Sequence, residues 1–342
     1  MTATHLVVGP ARHGVVSFAL DLAASLRGVG GPTNVVRVEH WIDLDDDAVE
    51  SIQRCDAVHL NFTDRLFGVT AADAAHRVVA LVRDVEATGS WVTVTLHDVP
   101  QPSDGGNYPQ RVDAYRAVCA AVRGVVVNSG HERSLLEESR IADPADVVVI
   151  PLPLDVSDAP PRPSVVGDRS VGVFGFVYPG KGHDEVLAAM AGLPSSVGFV
   201  AIGEPSEGHD DLVESLAKTA EREGRRFFVT GYVADDALAG VLHGVTVPVA
   251  RHRHVSASGS INTWIAAGRR PLVPVNRYTV EHAERHPGTL TPYPDTAPGL
   301  RAALEYAMAH PDSTWIAAGT VSGSSTHATA QRYARALARW HD

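Results

Sequence analysis

Two segments of the chain combine a cation, glycines and hydroxyl groups in a way that suits phosphate binding. The first is residues 174–183, FGFVYPGKGH, where Lys181 lies in a glycine-flanked turn between an apolar strand and a helix. Lysine is rare in this arginine-rich chain, and Lys218 is the only other one. A lysine side chain acts on phosphate as a compact point charge. The turn therefore predicts a phosphate-binding amine, and the alternative is an ordinary exposed turn residue.

The second segment is residues 251–274, RHRHVSASGSINTWIAAGRRPLVP. Its Ser-Gly-Ser sequence at 258–260 precedes a helix that we predict over 261–267, and free N–H groups at a helix start favour an anion such as a diphosphate. Arg251 and Arg253 add positive charge to the same end, which makes a zinc site at the intervening histidines electrostatically poor. We predict an anion site without a metal ion. The alternatives are a simple helix cap and a solvated pair of arginines.

Short runs of β-branched residues alternate with helical patterns along both halves of the chain. The predicted strands are 6–8, 35–38, 57–60, 91–96, 125–127 and 147–150, then 171–175, 197–203, 227–232, 245–249 and 271–274. Runs this continuous suit strands buried on both faces of a parallel sheet covered by helices. A chain of 342 residues is long enough for two such domains. We predict an α/β fold of two doubly wound, Rossmann-like domains that face each other across a ligand-binding cleft.

A break in this alternation divides the chain. Residues 156–168 are rich in proline and acidic side chains, which predicts an interdomain linker. We expect an N-terminal domain over 1–155, a C-terminal domain over 169–325, and a final helix over 326–342 that packs back on the N-terminal domain. The predicted helices are 15–26, 111–123, 211–223, 261–267, 298–308 and 328–340, with another beginning near 184.

Composition narrows the classes of partner. The net charge of −11 argues against an electrostatic nucleic-acid surface. Two cysteines, Cys55 and Cys119, have no metal-binding spacing and predict no disulfide framework, which fits a reducing compartment. The N-terminus predicts a first strand and not a signal peptide, and no run reaches the roughly 20 apolar residues of a membrane helix. We predict a cytoplasmic protein without a nucleic-acid partner, and leave peripheral membrane contact and the oligomeric state open.

Four segments, in this order and spacing, resemble those of GT-B glycosyltransferases of the retaining family-4 type. They are the glycine turn before the helix ending LDLAASL at 20–26; VTLHD at 94–98; VVVNS at 125–129 with VIPLPLD at 149–155; and a C-terminal set at 175–182, 202–204, 230–233, 258–260 and 266–271. The resemblance implies a GT-B fold. It also implies a hexosyltransferase-type enzyme that moves a sugar from a nucleotide-diphosphate sugar to an acceptor hydroxyl, with retention and without a metal or cofactor.

The resemblance also implies roles for individual residues. Lys181 matches the lysine that pairs with the donor diphosphate, His97 matches a histidine near the donor sugar, and Arg251 is a further catalytic candidate. The donor-binding candidates are Gly14, Gly175, Glu204, Tyr232, Val233, Arg253, Ser258, Gly259, Ser260 and Asn262. The acceptor, a small molecule, a lipid-linked molecule or a glycan, is expected on the N-terminal domain. The acceptor-binding candidates are Arg12, His13, Asn61 and Asp98.

The chain departs from the family pattern at three positions. Val255 and Thr263 occupy the places of the usual glutamate pair, and Phe176 that of the arginine five residues before the lysine. A carboxylate for the donor is therefore absent or supplied from elsewhere, and Arg251 or Arg253 is expected to replace the missing positive charge. These departures keep a second hypothesis open, namely a non-catalytic GT-B protein that binds a nucleotide sugar or a partner.

Overall fold

The computed structural model describes residues 2–155, 169–320 and 324–341, so the predicted linker 156–168 lies outside the described residues. The chain divides into two compact units. The first comprises Met1–Pro153 and Ser324–Asp342, and the second Leu154–Gly323. The C-terminal helix thus belongs to the first unit, although it follows the second in sequence.

The first unit is built on a parallel sheet with strand order β2-β1-β3-β4-β5-β6. Its strands are β1 (Ala3–Val8), β2 (Thr33–Val38), β3 (Ala57–Phe62), β4 (Trp91–Leu96), β5 (Gly124–Val127) and β6 (Val147–Val149). Its helices are α1 (Gly14–Gly28), α2 (Asp46–Gln53), α3 (Asp64–Phe67), α4 (Ala71–Glu86), α5 (Tyr108–Ala121), α6 (Gly130–Glu138) and the C-terminal α13 (Thr326–His341). Every residue of β1, β3 and β4 is buried, as the continuous apolar runs predicted.

Helices cover both faces of this sheet. On one face, α4 and α5 contribute Val78 and Tyr115 to a core shared with the central strands. On the other face, α1 contributes Leu22 and α13 contributes Tyr333 and Leu337 to a second core. The apolar face of α13 therefore packs beside α1 and helps to cover this face of the sheet.

The second unit repeats the plan with strand order β12-β11-β10-β7-β8-β9, all parallel. Its strands are β7 (Ser170–Phe174), β8 (Gly198–Ile202), β9 (Phe227–Val229), β10 (Val247–Val249), β11 (Leu272–Pro274) and β12 (Thr291–Tyr293). Its helices are α7 (His183–Ala189), α8 (Asp210–Arg222), α9 (Asp235–Gly244), α10 (Gly259–Ala266), α11 (Arg277–Arg285) and α12 (Ala297–Ala309). One core includes residues of α7, α8 and α12, and another includes residues of α9, α10 and α11.

Two strands of the second unit differ from the sequence prediction for local reasons. The predicted strand 227–232 ends at Val229, because Gly231 adopts a φ of +69°, outside the extended region. The strand β12 was not predicted, since it is only three residues long and contains Pro292. A proline is tolerated there because β12 lies at the edge of the sheet.

Two histidines lie inside the sheet of the first unit. The rings of His5 on β1 and His59 on β3 are fully buried, with centroids 5.1 Å apart. His59 bonds to the hydroxyls of Thr93 and Thr95, at 2.9 and 3.0 Å. Neither ring nitrogen of His5 has a partner within the described ranges. Burial, assisted by Arg27, lowers the pKa of His5 to about 4, so its ring is neutral near pH 7.

This burial makes the stability of the protein sensitive to acid. The unfolded chain protonates His5 near its ordinary pKa of 6.5, whereas the folded chain does so only near 4. As the pH is lowered from 6.5 to 4, the free energy of unfolding should therefore fall in both proteins at different rates. The fall should be steeper in the parent than in His5→Leu, by about 1.4 kcal/mol per pH unit. Urea titrations across this range measure the difference. The exposed His76, replaced by leucine, is the control, and equal slopes for the parent and His5→Leu would contradict the prediction.

Candidate functional site

The turn after β7 carries the buried lysine that the sequence singled out. Lys181 is 7% exposed, and its Nζ donates a hydrogen bond to the Oγ of Ser260, 3.0 Å away, at the start of α10. No carboxylate among the described residues lies within ion-pair distance of this amine. Desolvation lowers the pKa of Lys181 to about 8, so the amine is charged at pH 7 at a cost in folding free energy. The alternative of an exposed turn residue is wrong.

Two glycines allow the lysine to lie where it does. Gly175 has a φ of +113°, and a Cβ there would come within 2.8 Å of the Lys181 Nζ. Gly182 has a φ of +91°, and its Cβ would lie 2.0 Å from the carbonyl oxygen of Arg251. Larger residues at either position would displace the amine or separate the two loops. The close approach of the 174–183 and 251–260 segments thus depends on the glycines of the first.

The start of α10 presents unpaired donors near the lysine. The Ser258 Oγ caps the helix by accepting from the Ile261 amide at 3.2 Å. The amides of Gly259 and Ser260 have no acceptor in the part of the chain that the structure describes. The Ser258 amide differs from expectation, because it donates to the hydroxyl oxygen of Tyr278 on α11, at 3.1 Å. The available amides are therefore the next two along the chain, and they suit an anion.

The two upstream arginines carry acidic partners. Arg253 pairs with Glu185 and, at 3.3 Å, with Asp184, both on α7. The Arg251 Nη2 lies 3.1 Å from the Oδ1 of Asp295. Either arginine would have to exchange a carboxylate for a phosphate in order to act as the sequence predicts. The buried lysine is thus the cation without a carboxylate at this end of the sheet, among the residues described.

The other donor candidates follow neighbouring strands or lie on α10. The Glu204 carbonyl, after β8, accepts from the Val177 amide at 2.9 Å. Tyr232, after β9, is about half exposed, and Val233 packs against one apolar core. The Oδ1 of Asn262 lies 3.0 Å from a ring nitrogen of His282 on α11, which the sequence did not single out. The structure thus sets the Asn262 side chain against α11, where a neutral histidine, its pKa lowered by burial to about 3, holds it.

The positions that depart from the family pattern offer no acid. Val255 is buried in an apolar core. The Thr263 hydroxyl donates to the carbonyl of Gly259 at 2.9 Å, so its polar group faces its own helix. Phe176 replaces the arginine of the family pattern and is itself uncharged. Phe174, two residues earlier, packs its ring edge-on against Trp264. A carboxylate for a ligand at α10 would therefore have to come from a residue other than Val255 or Thr263.

The predicted acceptor residues and the predicted catalytic residue His97 lie in the first unit. The ring of His97, which follows β4, is buried and bonds to the Asn61 Oδ1 at 3.0 Å. Burial lowers the pKa of His97 to about 3, so its ring is neutral near pH 7. Asp98 adopts the left-handed conformation with a φ of +55°, which is uncommon outside glycine. The structure thus brings His97 and Asn61 together and places Asp98 in a sharp turn beside them.

A partly buried arginine that the sequence did not single out holds this turn. Arg111 on α5 donates to both carboxylate oxygens of Asp64 at 3.0 Å and to Asp104 at 2.6 Å. Its Nη2 also donates to the Asp98 carbonyl at 2.6 Å. Nothing in the local sequence marks Arg111, because its partners come from other loops.

His13, Gly14 and Arg12 lie at the start of α1. The Nδ1 of His13 accepts from the Val15 amide at 3.3 Å and caps the helix. Gly14 is exposed, and a Cβ there would meet no atom within 4 Å. Arg12 is exposed beside them. The structure thus leaves the backbone at Gly14 open to close approach by a ligand.

The described residues contain neither a metal-binding cluster nor a helix suited to span a membrane. No group of three or more His, Cys, Asp or Glu side chains there is arranged to hold a metal ion. No helix in the same ranges combines the length and apolarity needed to cross a bilayer.

Comparison with solved structures identifies the fold. HepE of Anabaena, crystallised with UDP and glucose, superimposes with a TM-score of 0.75 over 99% of both chains, at 16% identity. Sucrose-phosphate synthase of Thermosynechococcus elongatus matches with a TM-score of 0.67 at 15% identity, over 99% of this chain and 97% of its own. The lipopolysaccharide outer core galactosyltransferase WaaB gives 0.66 at 8% identity, over 99% of both. No protein-family model and no curated protein sequence matches the chain. The fold is therefore GT-B, as predicted.

Proposed function

We propose that the protein is a glycosyltransferase that moves a sugar from a nucleotide-diphosphate sugar to an acceptor hydroxyl. The observation that carries the proposal is the buried amine of Lys181, which has no carboxylate partner among the described residues and lies against a helix start with two unpaired amides. A cation buried without an anion costs stability, and such a cost is typical of functional sites. The crystal complexes of HepE with UDP and with UDP-glucose support a nucleotide sugar as the anion.

Each donor at the site would have a distinct task. The Lys181 ammonium would neutralise charge on the diphosphate, and the amides of Gly259 and Ser260 would bond to its oxygens. As the bond from the sugar C1 to the phosphate oxygen breaks, negative charge grows on that oxygen. Donors already aimed at it stabilise the transition state more than the ground state. The site therefore needs neither a metal nor a cofactor for this step, and we propose a metal-independent reaction.

Retention and the acceptor belong to the same proposal. In a front-face reaction, the acceptor hydroxyl forms its bond to C1 on the side that the phosphate leaves, and its proton passes to the leaving phosphate oxygen. The resemblance to retaining family-4 enzymes supports this outcome and a hexosyl donor. Asn61, His13, Arg12 and Asp98 remain the predicted acceptor residues, His97 a predicted catalytic residue near the donor sugar, and Gly14 a predicted donor contact. The NMR coupling constant of the anomeric proton in the product tests retention.

Donor affinity should depend on pH through Lys181. The free amine has a pKa of about 8, and a bound diphosphate would raise it. The Kd for UDP should therefore be flat with respect to this group below pH 8, and should rise about tenfold per pH unit above it. Calorimetry at pH 8.5 in buffers of different ionisation enthalpy should show proton uptake on binding. A Kd that stays constant to pH 10, without proton uptake, would contradict the assignment.

A non-catalytic nucleotide-sugar-binding or partner-binding protein is the second candidate. It is favoured by Val255 and Thr263, which place no carboxylate at α10. Titration with a panel of nucleotide sugars, followed by assays for transfer and donor hydrolysis, separates the two. Transfer to any acceptor supports the enzyme. Binding of UDP-sugars without transfer or hydrolysis supports a nucleotide-sugar-binding protein. Absence of nucleotide binding overturns the enzyme and leaves the partner-binding form of the second candidate.

A further inference from the structure

The buried side chain of His252 joins the two serines of the helix start, and the function proposed above assigns it no task. Its Nε2 lies 3.0 Å from the Ser258 Oγ and 3.1 Å from the Ser260 Oγ. The two hydroxyl oxygens are 3.1 Å apart. His252 is 6% exposed and Ser258 5%, whereas Ser260 is only partly buried. The three polar groups thus form a triangle of mutual contacts. Its Ser260 corner is the one that a ligand can reach.

Two donors enter this triangle from outside. The Ile261 amide donates to the Ser258 Oγ, and the Lys181 ammonium donates to the Ser260 Oγ. A hydroxyl oxygen accepts two hydrogen bonds and donates one. Each serine oxygen can therefore accept one more hydrogen bond, and the hydroxyl hydrogen of each serine still needs an acceptor. Within the triangle, the acceptors are the opposite hydroxyl and, in one tautomer, the histidine nitrogen.

The other ring nitrogen decides the tautomer. The Nδ1 of His252 is buried and has no partner among the described residues. A hydrogen on Nδ1 would thus be an unpaired buried donor, which proteins rarely tolerate. A hydrogen on Nε2 is satisfied by either serine. Burial and the nearby Lys181 lower the pKa of His252 well below its ordinary value, which keeps the ring neutral with a single hydrogen to place.

We propose that His252 is a positioning residue that, as the Nε2–H tautomer, makes Ser260 a hydrogen-bond donor to the bound anion. The Nε2 hydrogen goes to Ser258, the Ser258 hydrogen goes to Ser260, and both remaining accepting positions are then filled. The Ser260 hydrogen has no acceptor left in the triangle and points to the partly open corner. Lys181 and Ser260 thus form a paired donor set that suits a ligand oxygen carrying no hydrogen, such as a diphosphate oxygen. The inference rests on the proposed function for the identity of that anion.

Histidine-selective nitrogen NMR reads the tautomer directly. Long-range proton–nitrogen spectra of the full chain, with the His252 signals assigned from the His252→Gln variant, should show the hydrogen on Nε2 with and without UDP. A hydrogen on Nδ1 would overturn the proposal. This measurement does not require that UDP bind, so its failure is distinct from a failure of the proposed function, which would appear as absent UDP binding by the parent.

Substitutions test the relay, meaning the chain of hydrogen bonds that runs from His252 through Ser258 to Ser260. His252→Leu removes the Nε2 donor and should raise the Kd for UDP ten- to hundredfold, the range for a hydrogen bond to a charged group. His252→Gln retains an N–H near the Nε2 position and should stay within a few-fold of the parent. Ser260→Ala should match His252→Leu, and the double variant should be no worse than either single one. The exposed His254, replaced by leucine, is the control.

The pattern of outcomes separates a positioning role from a structural one. Additive losses in the double variant, or equal losses for His252→Gln and His252→Leu, would overturn the relay. Thermal unfolding of each variant identifies any that fail to fold, and the tautomer measurement on the parent does not depend on them.

Discussion

Replacing Lys181 with methionine is expected to stabilise the ligand-free protein while lowering donor turnover a hundred- to thousandfold. The loss of turnover follows from removing the charge that meets the leaving diphosphate. The gain in stability follows from removing a buried amine whose pKa has fallen from 10.5 to about 8. Both pKa values lie above 7, so the folded protein bears the full desolvation cost at neutral pH. Relief of that cost should raise the free energy of unfolding by about 1–3 kcal/mol.

The gain in stability on replacing Lys181 should vary with pH. The stability difference between Lys181→Met and the parent should be constant below about pH 8. It should shrink between about 8 and 10.5, because there the folded protein loses the proton first. Differential scanning calorimetry across this pH range measures the stability difference. Repeated with UDP, it measures stabilisation by the ligand, and UDP should raise the Tm of the parent only. Each kcal/mol corresponds to about 2–4 °C in a unit of this size.

The other lysine of the chain is a matched control. Lys218 on α8 is exposed and lies 3.6 Å from Glu214, one turn earlier in the helix. Such pairs contribute little, so Lys218→Met should change stability by less than about 1 kcal/mol and leave turnover unaltered. Turnover of Lys181→Met within a few-fold of the parent would mean that the amine does not act on the donor. A lower Tm would mean that its bond to Ser260 outweighs desolvation.

Replacing Arg269 with methionine is expected to destabilise the protein by about 2–5 kcal/mol, because buried carbonyls lose their hydrogen-bond donor. This arginine is fully buried, and its guanidinium donates to the carbonyls of Leu242, Val245 and Thr246 at 2.8, 2.6 and 3.1 Å. It also donates to Thr314, and its Cζ lies 4.1 Å from the ring centroid of Trp315. Methionine would remove the arginine donor from the buried carbonyls of Leu242 and Val245, each at a cost of about 1–3 kcal/mol before relaxation. The Thr246 carbonyl would keep the Thr314 hydroxyl as a donor.

A graded series makes this prediction specific to hydrogen bonding. Arg269→Lys keeps a cation but has three donors in place of five, so its stability should lie between those of the parent and Arg269→Met. Arg222→Met, on the exposed face of α8, is the control and should change stability by less than about 1 kcal/mol. Urea denaturation followed by tryptophan fluorescence measures all four proteins. A loss of under 1 kcal/mol for Arg269→Met would show that water or side chains replace the guanidinium.

Local sequence was sufficient for the architecture. The valine-rich runs at Leu6–Val8 and Trp91–Leu96 became fully buried parallel strands, and the glycine turn at Lys181 became the turn after β7. The helix α13 could also be predicted from local sequence, since its apolar residues recur at helical spacing. Short edge strands such as β12 were missed, because three residues that include a proline carry too weak a periodic signal.

Sequence by itself thus determined the α/β plan, and it marked the cation and the helix start that we propose bind an anion. Tertiary structure alone decided which groups are available to that anion. The acids opposite Arg251 and Arg253, the Tyr278 hydroxyl on the Ser258 amide and the His252 ring between two serines all depend on contacts between separate loops. Burial periodicity is a local property of a chain. Hydrogen-bond partners instead come from segments that meet only after folding, as Lys181 and Ser260 do across 79 positions.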